Sequence, residues 1–172
     1  PMHGAHFFRR GPQRIVCAEN PMRNRQALRV IQEIEMAYTQ LIYLSNLVKG
    51  QESQLGAILE SAVRHNSEDH ITGMLLYAEG NFLQVLEGDR EPLNDLYGRL
   101  THDTRHRRLL LLGFEAIDER LFPGWSMGFA AADASQRIEY LRFGATSQFD
   151  PYRLTGPAAL GLLTKKLLGV EI

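Results

Sequence analysis

Gln84 lies in Phe82-Leu83-Gln84-Val85-Leu86-Glu87, a run that is otherwise built for burial. A neutral amide in such a run must find partners, because an unpaired buried group costs about 1–3 kcal/mol. The amide carries two donors and an acceptor, so it can bridge polar groups in more than one arrangement. Its partner is a backbone carbonyl, a water or the polar edge of a ligand, and this strand alone favours the first two. Tyr43, in Leu41-Ile42-Tyr43-Leu44-Ser45, adds a phenol to a second apolar run. Taken singly, Tyr43 reads as a core tyrosine, Asn66 as a residue at a helix C-terminus, and Trp125 and Met127 as core. His102 and His106 have the spacing of a helical metal pair, but no third ligand accompanies them, so they read as a surface pair and no metal is expected. His3 and His6 fall in a tail, and Arg105, Arg107 and Arg108 read as a solvated charge cluster.

The totals narrow the class of protein. The chain has 172 residues, 44% hydrophobic and 23% charged, which suits one globular domain with room for an extension. A net charge of −1 gives no global field for nucleic acid or an anionic membrane. One cysteine, Cys17, allows no internal disulfide, so a reducing, cytoplasmic setting is expected. No run has the length of a membrane span, and the first residues lack the apolar core of a secretory signal.

The elements that must position these residues follow from periodicity. Residues 1–22 read as loop or tail, and Leu28, Ile31, Ile34 and Tyr38 mark an amphipathic helix over Asn24 to Tyr38. Strands are expected over Leu41 to Ser45, Ile71 to Tyr77, Phe82 to Glu87, Leu109 to Ile117 and Trp125 to Ala131. Helices are expected over Ser53 to His65, capped by Ser53, and over Glu91 to Thr101, with Pro92 in the first turn. The Ala78-Glu79-Gly80-Asn81 turn makes the second and third strands a hairpin. This order predicts an α+β, ferredoxin-like βαββαβ fold with an added fifth strand and both helices on one sheet face. Tyr43 and Gln84 then share that face on neighbouring central strands. Trp125, Met127 and Phe129 are expected to share one face of the last strand. Ile42, Leu44, Met74, Leu76, Leu83 and Val85 form an apolar opposite face that must be covered. A C-terminal helix opened by Thr155-Gly156-Pro157 and lined by Leu160, Leu163 and Leu167 can cover it, as can a partner subunit.

Tyr43 in its strand, Asn66 in Arg64-His65-Asn66, Gln84 in Phe82-Leu83-Gln84-Val85-Leu86-Glu87-Gly88 and Trp125-Ser126-Met127 occur in an order and spacing that resembles the BLUF family, the blue-light sensors that use FAD. The resemblance covers roughly Leu41 to Ala131. It implies FAD held non-covalently between the two helices, with Tyr43 and Gln84 in direct contact and Gln84 reaching the flavin. It further implies Asn66 at the polar edge of the ring, Ser45 and Phe82 beside it, and Arg105 and His106 closing over it. Trp125 and Met127 match the pair whose exchange near the flavin is debated in the family.

The photochemistry implied is transfer of an electron and a proton from Tyr43 and their return. Gln84 is left rotated or as a tautomer, with a new bond to the flavin and a small red shift. The resemblance also implies no catalysis, no small-molecule substrate, a downstream protein partner and a homo-oligomer, with a packing change leaving through the last strand and the C-terminal helices. The expected organisation is a 1–38 extension, a 39–132 flavin-binding domain and a 133–172 helical cap. The tail from Tyr140, with Pro151-Tyr152-Arg153-Leu154, resembles the end of short stand-alone members and leaves no room for a cyclase or phosphodiesterase. The alternatives are an acylphosphatase-like enzyme, for which the loop Asn46 to Gln51 lacks the needed arginine, and a ligand-free ferredoxin-like interaction module.

Overall fold

The computed structural model describes residues 38–131 and 150–169, with side chains through residue 165. The expected helix over Asn24 to Tyr38, apart from Tyr38 itself, the tail before it, and residues 132–149 lie outside that description. The described residues belong to one compact unit that starts at Ala37.

Apolar alternation builds five strands: β1 Tyr38–Leu47, β2 Thr72–Ala78, β3 Asn81–Gly88, β4 His106–Ile117 and β5 Gly128–Ala131. Three helices join them: α1 Leu55–Glu68, α2 Arg90–His102 and α3 Gly156–Gly169. The strands form one mixed sheet in the order β4-β1-β3-β2-β5, with β5 parallel to β2 and the other pairs antiparallel. The split-βαβ order read from the sequence is the one found. The β2–β3 hairpin closes through Glu79 and Gly80, both at positive φ (50° and 77°), as a two-residue turn that matches strand twist requires.

Helices α1 and α2 pack on one sheet face. Leu93 and Leu96 of α2 meet Leu41, Tyr43 and Leu86, while Ile58 of α1 meets Leu47, Leu75 and Phe82. The other face is covered by α3. Ala159, Leu162 and Leu163 are buried against Ile42, Leu44, Met74, Leu76, Leu83 and Val85. Leu160 is only partly buried there, so the contact stripe is turned slightly from the expected one. The segment entering α3 is pinned by Tyr152, whose hydroxyl lies 3.0 Å from Asn46 Oδ1 and 2.9 Å from the Arg108 carbonyl, under the Arg108 guanidinium.

Several boundaries differ from expectation, among them the extended β4, which starts at His106, and α1, which ends at Glu68. β1 runs beyond Leu41–Ser45 because Thr39 and Gln40, though polar, are buried in the sheet. Helix α1 follows a 3-10 turn at Glu52–Gln54, and its N-cap is Gln54 with no side-chain cap bond, so Ser53 does not cap it. The fifth strand starts at Gly128 rather than Trp125. The Trp125 and Ser126 carbonyls accept instead from Gly73 N–H and from the Asn66 side chain, outside any strand ladder.

Leu162→Ala is expected to destabilise the chain by about 2–5 kcal/mol, the usual cost of truncating a fully buried leucine. Urea unfolding measures this, and parent-like stability would detach α3 from the sheet.

Candidate functional site

Tyr43 and Gln84 are directly opposed in the β1–β3 register and both face the helices. They are 2% and 5% exposed, so neither relies on bulk water for its hydrogen bonds. The Tyr43 hydroxyl donates to Gln84 Oε1. On the other side of the amide, Gln84 Nε2 donates to Met127 Sδ at 3.0 Å. A thioether accepts but has no proton to give, so this orientation satisfies both neighbours and the flipped one does not. Tyr97 of α2 meets the Tyr43 ring edge-on at 6.3 Å. Burial, then the Asp103 carboxylate and Tyr97, push the Tyr43 phenol well above its ordinary pKa, so it is held protonated.

A cavity of about 180 Å³ opens above this pair, between α1 and α2. Tyr43, Phe82 and Gln84 form part of its floor, with Ile58 and Asn66 on the α1 side and Leu96 and Leu100 on the α2 side. Asn66, 1% exposed, sits in the last turn of α1 and donates from Nδ2 to the Ser126 carbonyl at 2.9 Å. Its amide keeps a second donor and an acceptor for the cavity. His106 stacks on Phe82 at 5.0 Å and shares a 2.9 Å bond between Nδ1 and Ser45 Oγ. Burial holds the imidazole below its ordinary pKa and so favours the neutral ring, although the nearby Asp103 carboxylate pulls the other way. At the rim, Arg105 grips Asp103 through two nitrogens, the shortest contact being 2.6 Å. That hydrogen bonding lowers the Asp103 pKa and raises that of Arg105.

Of the eight residues expected to hold a cofactor, Tyr43, Asn66, Phe82, Gln84, Arg105 and His106 line this one cavity. Ser45 and Met127 stand one step back, each bonded to a residue of the wall. Trp125 goes elsewhere. It packs against the cluster beneath α3, while Met127 packs against the clusters beneath α1 and α2. Their expected common face is therefore corrected. Residues 125–127 precede the strand, so strand alternation does not apply to them. Gly128 also leaves the space that the indole fills, since a Cβ there would lie 2.3 Å from Trp125 Cε3. Phe129, in β5, is 39% exposed. The reading of His102 and His106 as a surface pair is corrected for His106: His102 ends α2 and is exposed, whereas His106 opens β4, is partly buried and bonds Ser45.

Sequence reading missed Asp103 and Tyr97 as site residues. It also missed Arg99, which lines the cavity and bridges to Asp69 of the α1 C-cap at 3.0 Å. Tyr97 and Arg99 lie on α2 and Asp103 is its C-cap, so only the nearness of all three to the end of α2 could have flagged them. The cavity suits a planar heteroaromatic ring: its walls are largely apolar, and hydrogen-bonding amides gather at one edge in Gln84 and Asn66.

Comparisons with known proteins agree. Residues 38–128 match the family described as sensors of blue-light using FAD. The chain is 34% identical over 97 residues to the photoactivated adenylate cyclase subunit beta-like protein FB of Euglena gracilis and, over the same length, to a photoactivated adenylate cyclase subunit beta of Euglena longa. That match takes in 55% of this chain and 11% of either relative, so the chain spans only a small part of their length. Among solved structures, BlsA in its photo-activated state superposes with a TM-score of 0.68 at 28% identity, over 78% of this chain and 96% of that one. BlrB, a BLUF protein in its dark state, gives 0.63 at 26%, over 76% and 95%. With the family matched over more than half of this chain, and with the paired phenol and amide facing one cavity, the chain belongs to the BLUF family of flavin-binding blue-light sensors.

Proposed function

We propose that this chain is a photoreceptor in which Tyr43, Gln84 and Met127 form a hydrogen-bond switch, read out through protein contacts and not through catalysis in this domain. The Tyr43-Gln84-Met127 chain across the cavity floor carries the reading. Bound FAD supplies absorption of blue light and a one-electron oxidant. Gln84 and Asn66 would hold the polar edge of its ring, Phe82 and His106 would lie beside it, and Arg105 would close the rim.

Tyr43 is the redox-capable side chain on the floor. In the dark its proton stays on the phenol and is aimed at Gln84 Oε1. A phenol that has lost an electron is a strong acid, and Gln84 Oε1 is the acceptor placed to take its proton. The rotated amide would turn its NH₂ towards Tyr43 and its carbonyl towards a sulfur that cannot donate. The Met127 contact is thereby lost. A hydrogen bond is worth about 0.5–1.5 kcal/mol, enough to bias a poised packing equilibrium but not to unfold the domain. Thermal return of electron and proton to Tyr43 restores the starting bonds.

Output would run from Met127 into β5 and the helix α3 behind the sheet. The receiver is read as a downstream protein, contacted by an oligomer of this chain. In this reading residues 39–132 are the sensor and residues 133–172 the output segment, of which the described helix α3 packs on the far sheet face. A single cysteine fits a cytoplasmic setting. Among the described residues no helix is long and apolar enough to cross a membrane.

Light-minus-dark absorption of FAD-loaded protein should show a reversible red shift in the parent. Gln84→Leu and Tyr43→Phe should keep the flavin and lose the whole shift; a parent-like shift in Gln84→Leu would remove that residue from the mechanism.

His106 makes a separate prediction. Its folded pKa lies below the unfolded value of 6.5, so the unfolded chain binds the proton more readily. Its contribution is present above that value and is lost as pH falls through the depressed folded one. Urea midpoints should drop from neutral to mildly acid pH, and this part of the slope should vanish in His106→Gln.

A further inference from the structure

Glu87 is a carboxylate with no exposed surface, set in the sheet face opposite the cavity. Side chains alternate along β3, so Gln84 and Glu87, three residues apart, point to opposite sides. Glu87 Oε1 accepts from Gln40 Nε2 at 2.9 Å, across the β1–β3 pair. Its Oε2 accepts from the Phe122 backbone N–H at 3.0 Å. Phe122, 2% exposed, packs in the cluster beneath α3 and belongs to the connection between β4 and β5. Packing alone does not call for a buried carboxylate here, since an apolar side chain of similar size fills space at lower cost. What the carboxylate adds is direction, because its two oxygens tie two separate segments together.

The connection so held is the one that carries Met127. Its later residues are fixed at three points: Trp125 O by Gly73 N–H at 2.9 Å, Ser126 O by Asn66 Nδ2 at 2.9 Å, and Met127 Sδ by Gln84 Nε2 at 3.0 Å. Two of these holders, Asn66 and Gln84, line the cavity. Glu87 holds the same connection from behind the sheet. Near its start, Arg120 donates to Thr72 Oγ1 at 3.2 Å, and Thr72 is the β2 partner of Glu87.

We propose that Glu87, supported by Gln40, is a positioning residue for photosensing: it anchors the β4–β5 connection from the far sheet face and so keeps Met127 presented to Gln84. This rests on the light-sensing reading above. With the anchor weakened, the sulfur leaves the amide more often, the dark orientation of Gln84 loses its second partner, and return from the lit state slows.

Trp125 is the one tryptophan of the chain and lies three residues from Phe122, so its fluorescence reports on this connection. The test uses the full chain loaded with FAD and the variants Glu87→Gln and Gln40→Met. Glu87→Gln keeps the size but leaves one acceptor oxygen and turns an NH₂ towards a donor. The expected result is a retained red shift on illumination, higher acrylamide quenching of Trp125 in the dark, and dark recovery slowed roughly tenfold, the scale of a lost hydrogen bond to a charged group. Gln40→Met should move quenching and recovery the same way by less, and it decides the matter alone if Glu87→Gln does not fold. Unchanged quenching and recovery overturn the proposal. Higher quenching with parent-like recovery also overturns it, since Glu87 would then be only a structural anchor. A parent chain that shows no red shift rejects the light-sensing reading instead, and the proposal with it.

Discussion

The hydrogen bond between Tyr43 and Gln84 is the constraint around which the described fold is arranged. It joins the two central strands of the sheet at directly opposed positions, and both partners are shut away from solvent. A phenol and an amide are tolerated there because each satisfies the other. That mutual satisfaction leaves the amide nitrogen needing an acceptor, and the Met127 sulfur supplies a weak one. A strong donor and a weak acceptor on either side of one rotatable amide make a bond pattern that is specific yet inexpensive to exchange.

The sheet divides the molecule into two chemically different halves. Towards α1 and α2 it presents a hollow with largely apolar walls and hydrogen-bonding amides at one edge; towards α3 it presents close-packed hydrocarbon. The β4–β5 connection contributes to both. Met127 packs on the side of the hollow, bonded to Gln84 of its floor, and Trp125 goes to the hydrocarbon, with Ser126 between them tied to Asn66. Met127 and Trp125 are two residues apart, so this connection joins the pocket side of the sheet to the packing beneath α3. This gives a route from pocket to far face that needs no large motion of the sheet.

Much of this was legible in the sequence. Alternation in Ile42, Leu44, Leu83 and Val85 against Tyr43 and Gln84 fixed which residues share a face, and the spacing of Leu93 and Leu96 gave the packed side of α2. What failed has a common cause. Gln40 and Glu87 are polar yet fully inside, because Glu87 bonds Gln40 and the Phe122 backbone rather than water, and a hydropathy pattern cannot see partners distant in sequence; Thr39 is buried beside them although its hydroxyl has no hydrogen-bond partner among the described residues. Trp125 and Met127 were placed on one face because strand alternation was extended through residues whose carbonyls are engaged elsewhere. Asp103 and Arg99 belong to the site only through the way two helix ends meet, which no local pattern encodes.

The side-chain amide of Gln84 is the group whose behaviour decides the account. In FAD-loaded protein labelled with ¹⁵N-glutamine, its NH₂ resonances can be assigned by their loss in Gln84→Leu. The account predicts that they move under blue light and return in the dark, as the amide leaves Met127 and then regains it. Resonances that stay fixed while the flavin absorption shifts would contradict it.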